Sequence, residues 1–133
     1  MIKGQCTCTA VTFQTSQKLT DIYMCHCTIC RRFSGTNGMA VCIAHKDQFS
    51  YLSGQDHIAT WQKPNSQWQG WFCRTCGSPL PGTNDDDHIF IPAGLITEGG
   101  DDLKVTHHLW TDSKANWDEI GDQGKCHHQQ FTG

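Results

Sequence analysis

A chain of 133 residues has the length of one ordinary domain with one core, and residues 1–133 are read as such a unit. Ten Lys and Arg against thirteen Asp and Glu leave a formal net charge of -3, which excludes the basic footprint of a nucleic-acid binder. No run approaches the roughly 18 apolar residues of a membrane span, and the Met1-Ile2-Lys3-Gly4-Gln5 start has no apolar signal segment, so a soluble cytoplasmic protein is expected.

In chain order, short runs rich in β-branched and aromatic residues alternate with turn residues. Ala10 to Thr15, Asp21 to Met24, Met39 to Ala44 and Phe49 to Leu52 are predicted strands, followed by His57 to Gln62, Trp68 to Phe72, His88 to Ile91 and Leu103 to Trp110. Met39 to Ala44 is apolar throughout, which places it inside a sheet and makes Cys42 a small core hydrophobe. In the last run Leu103, Val105, His107 and Leu109 alternate with Lys104, Thr106 and His108, so His107 and His108 lie on opposite faces and at most one is buried. Helical periodicity is nearly absent; short turns of helix are predicted only after Cys30 and around Ser113 to Ile120. Trp61, Trp68, Trp71, Trp110 and Trp117 are expected to fill the core or line a pocket.

Nine cysteines in a reducing compartment point to metal ligands or redox groups rather than cross-links. Seven are clustered: Cys6 with Cys8, Cys25 with Cys27 and Cys30, and Cys73 with Cys76. FCRTCGSPL reads as a zinc knuckle, because a tight turn aims the sulfurs of Cys73 and Cys76 at one ion and Gly77 follows where the turn needs positive φ. A redox CxxC would instead require a nucleophilic thiol at a helix start in a βαβ setting. A CxC pair closes a disulfide only with strain but reaches one metal readily. Seven thiols divide most simply as four plus three, although spacing alone also permits Cys6 and Cys8 to join Cys25 and Cys27, leaving Cys30 to the knuckle. His26, between two candidate ligands, should point away from the ion in an extended segment. Cys126 lies in a polar tail and is read as a surface group, and Asn84 to Asp87 as a solvated loop.

The order GQCTCTAVTF, CHCTICRRFSG, FCRTCGSPL, IFIPAGLI and HLWTDSKANW resembles the glutathione-dependent formaldehyde-activating enzyme family, also called the GFA or centromere-protein-V (CENP-V) domain, over nearly the whole chain. That resemblance implies a mainly β fold of several small, coiled antiparallel sheets, of the Mss4-like or β-tent zinc-binding type. It also implies two Zn2+ ions per chain: a structural one on Cys6, Cys8, Cys73 and Cys76, and a catalytic one on Cys25, Cys27 and Cys30. The implied activity is that of a carbon-sulfur lyase, joining formaldehyde to glutathione as co-substrate. Thr9 departs from the family pattern, which usually has glycine after the second cysteine.

Three thiolates make a soft centre with room for a substrate sulfur, which is the reason to expect a small-molecule thiol and an aldehyde as partners rather than nucleic acid or membrane. Arg31 and Arg32, directly after the trio, are read either as contacts for substrate carboxylates or as solvated surface groups. The rival functions are a non-catalytic binding module with two structural zinc sites and a thiol redox protein.

Overall fold

The structure is a computed structural model that describes residues 1–132. Its strands are β1 (Ile2–Gln5), β2 (Thr12–Thr15), β3 (Asp21–Cys25), β4 (Met39–His45), β5 (Phe49–Ser53), β6 (Ile58–Gln62), β7 (Gln69–Cys73), β8 (Gly82–Thr83), β9 (His88–Pro92), β10 (Ile96–Glu98), β11 (Lys104–Leu109) and β12 (Lys125–Cys126). One α-helix, α1 (Thr28–Ser34), interrupts them, together with short 3-10 turns. The fold is mainly β, as predicted. Every predicted strand is present within a residue or two of its expected limits; β1, β8, β10 and β12 were not predicted, being short or lacking a β-branched run.

The strands form a four-stranded sheet in the order β10-β1-β2-β5, a six-stranded sheet in the order β12-β11-β3-β4-β9-β8, and a separate β6-β7 hairpin. The six-stranded sheet departs from the antiparallel expectation, because β11 runs parallel to both β3 and β12. The chain returns to β3 only after crossing the other sheets, so its last long strand arrives in the same direction as β3. Within this sheet β4 is central, as its apolar run predicts.

Ile2, Phe13, Leu19, Cys42, Ala44 and Ile91 form the buried core, with Cys42 fully enclosed as expected of a small hydrophobe. A second cluster of Cys6, Val11, Cys73 and Leu80 adjoins it, and the half-buried Tyr51 and Leu95 pack against both. The tryptophans meet expectation only in part, Trp68 and Trp71 lining clefts and none being fully buried. Trp61 and Trp117 are 51% and 70% exposed, and the other three are only partly buried. The helix predicted over Ser113 to Ile120 is likewise reduced to a 3-10 turn at Thr111–Ser113, beyond which the Lys114 ammonium donates to the Asp118 carbonyl at 2.6 Å. None of the described helices is long and apolar enough to cross a membrane.

At Thr9 the backbone holds φ at 67°, a left-handed conformation that costs a β-branched residue roughly 1–2 kcal/mol. The turn is tied by Thr9 N–H donating to Cys6 O at 3.1 Å and by Cys6 N–H donating to Val11 O at 3.1 Å. The family's usual glycine thus gives way here without loss of the turn. Thr9→Gly is expected to raise unfolding free energy by about 0.5–1 kcal/mol, the strain relieved less the added freedom of the unfolded chain, in a urea titration.

Candidate active site

Two sulfur clusters emerge from this framework. The sulfurs of Cys6, Cys8, Cys73 and Cys76 all lie within 4.8 Å of one another, as do those of Cys25, Cys27 and Cys30. The four-plus-three division is therefore the one the fold assembles, and Cys30 stays with its neighbours rather than joining the knuckle. All nine cysteines are unbridged.

In the four-sulfur cluster, Cys6 Sγ and Cys8 Sγ are 3.6 Å apart and Cys8 Sγ and Cys73 Sγ 3.7 Å. A tetrahedral zinc with Zn–S bonds of about 2.3 Å sets sulfurs about 3.8 Å apart, so the spacing suits that ion and is far beyond a disulfide of about 2.05 Å. The knuckle turn explains the polarity. Backbone N–H groups of Cys76 and Thr75 donate to Cys73 and hold its thiol below the ordinary range, while the Ser78 hydroxyl and N–H bring Cys76 down to about 5. Against a lowering backbone contact from Ala10, desolvation and the neighbouring thiols push Cys8 up to about 12. Gly77, at φ 78°, closes the turn, donating its N–H to Cys73 O at 2.7 Å. The Ser78 hydroxyl also accepts from Thr7 N–H at 3.0 Å, which stitches the two halves of the cluster together.

The trio is built differently. Cys25 ends β3, Cys27 is the N-cap of α1, and Cys30 lies in the first turn. Cys27 Sγ accepts from Cys30 N–H at 3.3 Å. The thiols of Cys25 and Cys30, joined by backbone N–H groups of Cys30 and Ile29, hold Cys27 far below the ordinary thiol range; Cys25 is correspondingly pushed up to about 11, chiefly by its contact with Cys27, and Cys30 is also raised. Among the described residues no further His, Cys, Asp or Glu joins this group.

Cys25 and Cys30 line a cleft of about 310 Å³, whose walls include Phe33, Trp68 and Phe90. Cys30 and Phe33 share a helix face at i, i+3. Arg31 and Arg32 do not line this cleft, because their positions on α1 turn them onto other faces: the Arg31 guanidinium donates to Ser113 O at 3.0 Å, and Arg32 is exposed. Cys126 is exposed and belongs to neither sulfur cluster.

His26 does turn away from the sulfurs, into the interior. Its Nδ1 is 3.2 Å from Asn37 O and 3.7 Å from the Asp118 carboxylate, its Nε2 is 2.8 Å from His108 Nδ1, and His108 Nε2 is 2.8 Å from Asp122 Oδ1. Both rings are buried, and the alternation read in the sequence is met, with His108 inside and His107 only partly covered. Burial and the facing His108 ring hold His26 below the ordinary imidazole range. This network was not legible in the sequence, since Asp118 and Asp122 follow the strand in an irregular segment; nor were Phe33 and Phe90 as a wall beside Trp68, although the i, i+3 spacing of Cys30 and Phe33 was a usable sign.

A mainly β framework that gathers seven thiols into a closed four-sulfur cluster and a three-sulfur cluster beside a cleft defines a class of cysteine-rich, metal-site proteins. The chain belongs to the glutathione-dependent formaldehyde-activating enzyme family, whose model matches residues 1–113. A Halomonas elongata protein provisionally named a glutathione-dependent formaldehyde-activating enzyme is 27% identical over 137 residues, covering 95% of this chain and 86% of that one. A crystal structure of a Rhodobacter sphaeroides protein superposes with a TM-score of 0.59 at 21% identity, covering 74% of this chain and 91% of the other, and shows the same fold.

His108→Ala removes the link between His26 and Asp122 and leaves a buried ring nitrogen unpaired; it is expected to lower stability by about 1–3 kcal/mol in a denaturant titration, with a proportionate fall in Tm.

Proposed function

We propose that the protein is a zinc-dependent carbon-sulfur lyase that forms or cleaves the S-hydroxymethyl adduct of glutathione, or a similar thiol, with formaldehyde or a related aldehyde. The observation that carries this reading is the contrast between the two sulfur clusters. The four-sulfur cluster has a full set of ligands and includes two buried members, as a structural site requires, whereas the trio has three ligands and two of them face a cleft.

The donor sets fit zinc in both places. The tetrahedral sulfur spacing in the first and the N–H groups directed at Cys27 in the second are what thiolate ligands need. Zinc bound by Cys25, Cys27 and Cys30 supplies a soft Lewis-acidic centre that keeps a substrate thiol ionised near neutral pH. The protein's own residues do the rest. Helix α1 and the end of β3 fix the three sulfurs on one side of the cleft, and Phe33, Trp68 and Phe90 cover that side and limit water beside the reacting sulfur. In the addition direction the sulfur lone pair forms the new carbon–sulfur bond at the aldehyde carbon, the carbonyl π pair moves to oxygen, and that oxygen takes up the proton given up by the thiol. The reverse order releases the aldehyde. This chemistry suits a reducing cytoplasm, where both the protein's thiols and the substrate's remain reduced.

Metal content and substitution separate this reading from a binding module with two structural ions. The purified protein is expected to carry two zinc ions per chain by elemental analysis. Cys27→Ser should lower that to one, abolish turnover and leave the circular dichroism spectrum near that of the parent, whereas Cys76→Ser should lose the fold. A Cys27→Ser protein as unfolded as Cys76→Ser would assign the trio a structural role.

A further inference from the structure

We infer that the cleft beside Cys25 and Cys30 takes a thiol adduct with an uncharged, apolar body in preference to glutathione. This rests on the reading of the trio as an open, thiol-accepting site, and it narrows the substrate class of that site.

Glutathione brings two carboxylates and an ammonium, with a net negative charge, and a pocket built for it should offer cations. This cleft does not. Apart from the thiols, its lining holds aromatic and aliphatic side chains together with the neutral polar groups of Gln67, Gln69, Thr83 and Asn84. The arginines nearest in sequence are turned elsewhere, one onto the Ser113 carbonyl and the other into solvent. Directly beyond Asn84 stand Asp85, Asp86 and Asp87, all exposed. Asp85 is kept ionised by hydrogen bonds from Asp87 N–H at 2.9 Å and from the His88 ring at 2.8 Å. Lys46, which reaches this loop, spends its ammonium on the Asp86 carbonyl at 2.7 Å. A carboxylate entering the cleft would therefore be desolvated against aromatic walls that hold no cation, near the Asp85 carboxylate that accepts from Asn84 Nδ2 at 3.0 Å, and both disfavour it.

The apolar side of the cleft is a specific construction. Phe33 and Trp68 meet edge to face with centroids 5.0 Å apart. They close over Gly70, where a Cβ would stand 2.7 Å from Trp68 Cη2 and 2.8 Å from Phe33 Cε1. The bare backbone at that position is what lets the two rings approach the strand, while the amides of Gln69 and Asn84 are held by Thr60 Oγ1 at 2.7 Å and Asp85 Oδ2 at 3.0 Å.

A matched pair of thiols tests this on the zinc-loaded protein: benzyl mercaptan and 4-(mercaptomethyl)benzoate, which differ by one carboxylate, with glutathione as the third probe. Binding is read by quenching of the tryptophan fluorescence that Trp68→Phe removes, and independently by thermal shift. Benzyl mercaptan is expected to bind about tenfold or more tightly than either carboxylated thiol, a difference of about 1.4 kcal/mol. Asn84→Lys, which puts a cation into the cleft lining, is expected to narrow the gap by tightening binding of the benzoate. Equal or tighter binding of glutathione or the benzoate overturns the preference but leaves the open thiol site standing. Failure of all three thiols to bind overturns both.

Discussion

Crowding of sulfur is the constraint on which the molecule turns. Cys8 and Cys73, 65 positions apart in sequence, come within 3.7 Å, and three more thiols are gathered around the start of α1. Two thiolates at such a distance repel by about 4 kcal/mol at an effective dielectric near 20, so neither cluster is stable as a set of bare anions. Protons shared between sulfurs relieve part of this, as the opposed displacements of Cys27 and Cys25 illustrate. A divalent cation bound among the sulfurs would offset much of it and would tie distant segments together.

Much of this was legible beforehand because it depends on local pattern. Alternation located the long strands, the apolar run Met39 to Ala44 located the centre of the larger sheet, and the CxC and CxxC spacings announced groups of sulfurs. The division of those sulfurs was not a local property. It depends on β7 and the turn after it being carried back to the first cysteines, where Ser78 bonds Thr7. The parallel course of β11 was equally invisible, since it is set by the path of the intervening chain. The arginines show a further limit: adjacency in sequence to Cys30 says little on a helix, where each step rotates the side chain by about 100° and it is Phe33 and Ser34, not the arginines, that return to the same face.

The two sites also differ in what surrounds them. Half of the four-sulfur cluster is rooted in the core, with Cys6 and Cys73 belonging to a hydrophobic cluster alongside Val11 and Leu80, while Cys8 is exposed. The trio has the opposite setting, with an aromatic-walled opening on one side and the His26–His108–Asp122 chain behind. Asp118 and Asp122, which complete this backing, lie beyond residues 1–113 matched by the family model.

The parallel pairing of β3 with β11 bears on biosynthesis. The strand that delivers Cys25 obtains one neighbour soon after it is made, but its other edge waits for a partner that leaves the ribosome late. Until then the thiols on the nascent chain have a floor but no back wall, exposed to oxidants and to ions other than the intended one. Completion of the wall behind the trio therefore belongs to the last stage of synthesis or follows it, and conditions that slow completion of the polypeptide should leave these thiols uncovered before they touch the rest of the molecule.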